Sequence, residues 1–274
     1  MKADIPEKGF YFDPVKHKYY LDGKLMTGTT TCLGVLAKPA LIQWSANLSA
    51  AEAYSLAADM EPDKLSALRS AIAEAATKFG KINAQACYAI EAEFPEFKEA
   101  RLAHNKKKEA AGQHGTDTHL LVETYINRCL AAGAVIESPD AEAIIQPFIS
   151  WARENVKEFL FAERAMHDPD LFFAGTADFA YVGTDGRRYI GDFKTSSGIY
   201  GIDYWLQVAA YRHLAEKEGD TPYDGMTVVR IGKDDGKFEA HSLYEYESYR
   251  DVFLSCVRIY RMQQGHEGMT VKAY

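Results

Sequence analysis

A pair of strand-like runs around one short turn constrains this chain more than any other stretch of it. "LFFAGTADFAYV" and "RRYIGDFKT" are rich in aromatic and β-branched residues and are separated by "GTDG", the composition of a β-hairpin. If Thr184, Asp185 and Gly186 form a three-residue loop with the glycine left-handed, paired residues have numbers that sum to 370, and Asp178 lies opposite Asp192. Directly opposed side chains share a face, with Cβ atoms roughly 4.5–5.5 Å apart, and like charges so placed destabilise a sheet. Strand alternation sends Lys194 and Ile190 to the face of Asp192, so this face is expected to be at least half buried. A carboxylate pair there is costly unless it meets a partner or a cation.

Asp178 and Asp192 are therefore a candidate hard-cation site, of the oxygen-rich kind magnesium prefers. Lys194 beside them can orient a water or stabilise charge on a phosphate, and the three together describe metal-assisted phosphodiester hydrolysis. The ordinary alternative is a surface hairpin with exposed ion pairs, since acid-x-Lys alone is a weak signal.

Further residues bear on the choice. His119, in "HGTDTHLLVE", aligns with Val122, Ile126 and Cys129 at helical spacing. It is either a satisfied core histidine or a ligand, and an imidazole admits manganese beside magnesium. Glu123, one turn on, is a second polar group at the edge of that stripe. Glu163 shares a strand face with Phe161 and Ala165, as a half-exposed acid or a neighbour of the metal site. Gln207 and Tyr211, four apart on a helix, are either surface polar groups or nucleotide contacts. Lys106, Lys107 and Lys108 are a solvated helix face or an edge that meets phosphates.

Periodicity also orders the elements. "GFYFDPVKHKYYLDGK" reads as an N-terminal hairpin, and a helical region follows over roughly 40–112, broken at Pro62, Gly80 and Pro95. Residues 116–132 form a helix, and a second helix is expected from an N-cap at Ser138. Three strands, a helix over 203–218, two strands and a last helix over 248–263 complete the chain. The expected fold class is α/β, a central mixed sheet flanked by helices. The expected domains are 1–112, a hairpin and helical subdomain packed on the core, and 113–274, the core itself.

Composition sets limits. A net charge of -8 argues against a general nucleic-acid coat, though an enzyme with a local basic path and an acidic, metal-loaded centre is compatible with it. No apolar run approaches the ~18 residues a membrane helix needs, and "MKADIPEKGFYF" has no signal-like apolar stretch; a cytoplasmic protein is the default expectation. Cys32, Cys87, Cys129 and Cys256 are far apart without a C-x-x-C pair, which points to reduced thiols and away from an iron–sulfur cluster or zinc ribbon.

The segments "GTDTHLLVE", "AERAM", "GTADF", "GDFKTS" and "QVAAY", in this order, resemble the motifs of RecB-like nucleases of the PD-(D/E)XK superfamily. The resemblance covers roughly residues 113–215. It implies an αβββαβ restriction-endonuclease-like core. His119 of the G-x-x-x-H motif, Asp178, Asp192 and the Phe193 carbonyl would bind one or two Mg²⁺ or Mn²⁺ ions. Lys194 would be catalytic with Asp178 and Asp192, Glu163 would support the site, and Gln207 and Tyr211 would lie near the DNA. The N-terminal hairpin and "TGTTTCL" resemble, more loosely, the leader of stand-alone phage-type members. The implied activity is a metal-dependent deoxyribonuclease, an exonuclease in preference to an endonuclease, acting in recombination, repair or phage DNA metabolism. Its implied partner is DNA with free ends, and the resemblance leaves room for a recombination partner protein and a homo-oligomer. The helical region 40–112 would then arch over the site. The alternatives left open are a non-catalytic DNA-binding or recombination-accessory protein on the same fold, and a hydrolase of small phosphates.

Overall fold

The computed structural model describes residues 5–36, 38–196, 198–199, 201–232 and 236–265. The chain opens with strands β1 (Phe10–Asp13), β2 (Lys18–Leu21) and β3 (Lys24–Leu25), an antiparallel three-stranded sheet. Strand β4 (Thr27–Gly28) and helix α1 (Thr29–Leu33) follow. Five helices come next: α2 (Pro39–Ala58), α3 (Pro62–Phe79), α4 (Ala84–Glu93), α5 (Pro95–Arg101) and α6 (Ala103–Ala132). After a 3₁₀ turn (Ala143–Ile145) come α7 (Gln146–Asn155), β5 (Val156–Asp168), β6 (Phe173–Gly183) and β7 (Arg188–Lys194). The order ends with α8 (Asp203–Lys217), β8 (Gly225–Ile231), β9 (Phe238–Leu243) and α9 (Glu247–Gln263).

Two compact units result. One comprises residues 1–37 and 114–274, the other residues 38–113. This moves the expected boundary: the N-terminal hairpin groups with the large sheet and not with the helical region. The physical tie is backbone pairing, since β4 runs parallel to β6 with Thr27 against Phe173 and Gly28 against Ala174. The helical unit is punctuated as its sequence requires. Prolines open α3 and α5, where a missing N–H costs nothing, and Gly80 ends α3 at φ +73°. Asn83 caps α4 by accepting the Ala86 amide at 3.0 Å.

The large sheet is mixed. β5, β6 and β7 are successive antiparallel neighbours, β8 joins β7 in parallel through α8, and antiparallel β9 forms the edge. Helices cover both faces, which explains why β8 is buried along its whole length. On one face Ala180, Ile190 and Val228 meet Leu206 and Leu214 of α8 and Phe253 of α9. On the other, Phe179, Phe193 and Val229 meet Val122 and Ile126 of α6 and Phe148 of α7. The fold class is thus α/β with a mixed central sheet between helices, plus the small antiparallel sheet. Among the described residues no helix is long and apolar enough to cross a membrane.

One helix start differs from expectation. Ser138 does not cap a helix; α7 begins at Gln146, with Pro147 in its first turn. The Ser138 hydroxyl instead receives Arg128 at 2.9 Å, and its carbonyl receives the Gln146 side chain at 3.0 Å. The cap residue is used to tie α6 to the segment before α7, and the helix waits for the proline.

Candidate metal centre

The hairpin turn sets the site. Gly183 and Arg187 close a three-residue loop by a 2.8 Å hydrogen bond, and Gly186 sits at φ +80°, a conformation glycine adopts without steric cost. From there β6 and β7 pair as Val182 with Arg188, Tyr181 with Tyr189, Ala180 with Ile190 and Phe179 with Gly191. The next step brings Asp178 beside Asp192, and the Phe193 amide donates to Asp178 Oδ2 at 2.6 Å. On the other side of β6, the pairs Ala162–Phe179 and Arg164–Ala177 flank Glu163 and place it opposite Asp178. Glu163, Asp178 and Asp192 therefore form a row across three adjacent strands. Glu163 holds φ +45°, a conformation rare for side chains other than Asn, Asp and glycine and tolerated where the surroundings fix it.

The fourth side is closed by α6. His119 Nδ1 lies 3.7 Å from Asp178 Oδ2, and its ring packs T-shaped with that of Phe193, the ring centres 5.9 Å apart. Ligand-capable atoms of His119, Glu163 and Asp178 all lie within 4.8 Å of one another. This group could hold a metal ion. It differs from the expected set in one respect, because Glu163 enters it while the Asp192 carboxylate turns to pair with Lys194. Glu123, one turn beyond His119, is close enough to raise the Glu163 carboxyl electrostatically.

The charges of this group oppose one another. Burial, then Asp178, Glu123 and Asp192, push the Glu163 pKa up to about 8. Burial and Asp192 raise Asp178 to about 6, against the pull of His119, Lys194 and the Phe193 amide. A carboxylate cluster that resists ionisation when alone is a donor set suited to a divalent cation, whose charge reverses the local balance. The fit is thus electrostatic as well as spatial.

Lys194 is held on three sides. Its ammonium pairs with Asp192, donates to Gln207 Oε1 at 3.0 Å and lies 5.1 Å from the centre of the Tyr204 ring. Burial alone would lower its pKa, but Asp192 and Asp178 outweigh burial and raise it, so the side chain is a fixed cation at neutral pH. Gln207 in turn donates to the Tyr211 hydroxyl at 2.6 Å. Gly175 makes room for this pair, because a Cβ there would strike the Tyr211 ring and the Thr29 hydroxyl.

This placement corrects the expected role of Tyr211. The phenol is only 4% exposed, so it backs the lysine from the core and presents no face to a strand. Burial, Asp192 and Asp178 keep it far from ionising. Gln207, half-buried, connects the two. The basic cluster belongs to the helical unit: Lys106 pairs with Glu99 at 2.7 Å on an exposed surface, and Lys107 is exposed. The Lys108 side chain lies outside the described residues.

Two neighbours of the site escaped the sequence reading. Tyr19 of β2 bonds its hydroxyl to Thr176 at 3.0 Å and senses the charges of Glu163 and Asp178; nothing local in "KYYL" marks it. Arg230 is the one charge in the run "MTVVRI" of β8, whose other residues are apolar except Thr227, yet it is 1% exposed. That mismatch was a legible signal.

No protein-family model matches the chain, and a search of curated proteins returns no match. Among solved structures, the crystal structure of SSO0001 is similar over 72% of this chain and 84% of that one, at 15% identity and a TM-score of 0.35. A likeness this slight carries no argument about fold or activity.

Proposed function

We propose that this chain is a metal-dependent DNA exonuclease that hydrolyses phosphodiester bonds, on an αβββαβ core of the PD-(D/E)XK type. One observation carries the reading: three carboxylates stand in a row on adjacent strands, bordered by a histidine and a half-buried lysine. Like charges gathered out of water are unfavourable, and a protein has a chemical reason to keep them where a cation and a phosphate are to meet.

His119, Glu163 and Asp178 would hold Mg²⁺ or Mn²⁺, with Asp192 and the Phe193 carbonyl as further oxygen donors. The ion, when bound, supplies Lewis-acid polarisation of a phosphate oxygen. The remaining chemistry belongs to the side chains. Lys194, protonated at neutral pH, donates hydrogen bonds toward charge that develops on the phosphate, and it is unsuited to act as a general base while Asp192 holds it cationic. Gln207, braced by Tyr211, fixes the direction of the ammonium. Asp192 both neutralises the lysine and orients it. The Phe193 amide locks the Asp178 carboxylate, so the acid row does not reorganise as charge moves.

The test is cleavage of end-labelled linear DNA and matched closed circles, single- and double-stranded, in Mg²⁺ and in Mn²⁺, beside Asp192→Ala and Lys194→Ala. Degraded linear DNA, surviving circles and two inactive variants are expected. Binding without cutting in either metal would move the chain to the accessory-protein class. Turnover of small phosphates with no loss of polymer would move it to the small-phosphate hydrolases.

A further inference from the structure

Arg230 stands one strand away from Lys194. The two are register partners in the parallel β7–β8 ladder, so their side chains leave neighbouring strands on the same face. The positions beside Arg230 in β8, Val228, Val229 and Ile231, are buried and apolar, and Arg230 itself is the largest fully buried side chain among the described residues. A guanidinium in such a place is retained only with strong partners.

Its partners are specific. Nε donates to the Ser196 carbonyl at 2.7 Å, and Nη1 meets Glu239 Oε1 at 3.2 Å from the opposite position on β9. Glu239 offsets the charge, while the Ser196 bond fixes the main chain two residues beyond Lys194. Ser196 continues the connection. Its hydroxyl donates to the Gly198 carbonyl at 2.7 Å and accepts from the Tyr204 hydroxyl at 3.3 Å, and the Tyr204 ring lies against the Lys194 ammonium. Contacts thus run from Arg230 through Ser196 and Tyr204 to the lysine, beside those that Asp192 and Gln207 make to it.

We propose that Arg230 is a positioning residue for Lys194: it anchors the chain as it leaves β7 and, through Tyr204, fixes the ammonium over the acid row. Arginine suits this task because a planar guanidinium can serve a carboxylate and a carbonyl in different directions at once. Lysine reaches a single point and methionine neither. The proposal rests on the nuclease reading for its kinetic consequence, but the anchoring itself does not.

The experiment compares wild type with Arg230→Met and Arg230→Lys, in two measurements. The first is steady-state cleavage of linear DNA in Mg²⁺, separated into kcat and KM. Arg230→Met is expected to lose kcat by about 10²-fold, the scale of a misplaced catalytic group, and Arg230→Lys a smaller part of that, with KM of both within a few-fold of wild type. The second is hydrogen exchange of the metal-free protein, read on the peptide that carries Thr195 and Ser196. Uptake there is expected to rise at least tenfold in rate while β8 and α8 keep their protection. Should Arg230→Met fail to fold by circular dichroism, Arg230→Lys carries both measurements. Wild-type kcat and wild-type exchange in a folded variant would overturn the proposal. If wild-type protein cuts no DNA, the nuclease reading fails, and exchange at Thr195 and Ser196 still decides whether Arg230 anchors this segment. A loss of kcat with unchanged exchange would also overturn it, since the arginine would then act by charge alone.

Discussion

The Phe193 amide donates to Asp178 Oδ2 at 2.6 Å, from the strand that carries Asp192 and Lys194. This bond joins the two arms of the hairpin where ladder pairing gives way to chemistry, and it removes the freedom of the Asp178 carboxylate to swing from its neighbours. A charge-assisted bond of this kind is worth more than an ordinary backbone pair. It also sets which oxygen faces His119, the one 3.7 Å from its ring nitrogen.

The acid row makes stability depend on pH in an unusual direction. Glu163 titrates near 4.5 in the unfolded chain and about 8 in the fold, and Asp178 near 3.8 and about 6. Across those windows the native state holds protons that the unfolded state has lost, so metal-free stability falls as pH rises from about 4 to about 8. Thermal melts in EDTA should show the melting temperature declining over that range. Glu163→Gln, which cannot ionise, should flatten the upper part, between pH 6 and 8. A wild-type melting temperature that climbs with pH there would contradict the arrangement.

Adding metal should reverse that slope. A cation binds the ionised carboxylates and releases their protons, so apparent affinity rises with pH up to about 8. Saturating Mn²⁺ or Mg²⁺ should raise the melting temperature more at pH 8 than at pH 6. At ~100 times the dissociation constant the gain is about 2.7 kcal/mol. Asp178→Asn and His119→Ala should remove most of it, a result calorimetric titration can check without any activity assay.

Gly191→Ala should be costly although the residue lies in a strand, where alanine is ordinarily tolerated. A Cβ at Gly191 would enter the Phe179 ring across the ladder. That ring is fully buried and stacked on Phe193 at 4.5 Å and Tyr181 at 5.8 Å, so it has little room to retreat. Overpacking of this kind costs about 1–3 kcal/mol, which urea denaturation will measure. Because Gly191 precedes Asp192, cleavage should fall as well.

Gln207→Leu separates positioning from charge. It leaves Asp192 and Lys194 in place but removes the acceptor that directs the ammonium. A loss of kcat of about 10–100-fold is expected, the range seen when a supporting hydrogen bond behind a working group is removed. Tyr211→Phe should cost less activity but about 1–3 kcal/mol of stability, because the Gln207 amide is left without its partner. Equal loss of DNA affinity in both variants, with kcat intact, would instead return these residues to the strand-contacting role first expected of them.

The sequence by itself determined what depends on neighbours in the chain. A three-residue turn with glycine at its left-handed position sets the β6–β7 register, and that register alone brings Asp178 to Asp192. Alternation put Lys194 on the same face, and helical spacing put His119 on the stripe of Val122, Ile126 and Cys129. Proline and glycine positions marked the breaks of the helical unit because their backbone limits act locally.

Tertiary structure decided what depends on which elements become neighbours. Glu163 joins Asp178 only because β5 takes the far side of β6, a choice that no residue of "FAERAM" encodes alone. Asp192 turns to Lys194 while Glu163 completes the histidine group, a division of labour set by burial and repulsion among four acids from three strands and a helix. Tyr211 spacing fitted a surface pair, yet α8 packs flat on the sheet and buries the phenol behind Gln207. Arg230 advertised itself as the one charge in a largely apolar strand, but its partners at Ser196 and Glu239 come from two other segments. Periodicity reports the face a side chain takes; its partner and its protonation follow from long-range packing, which alone sets distance and dielectric.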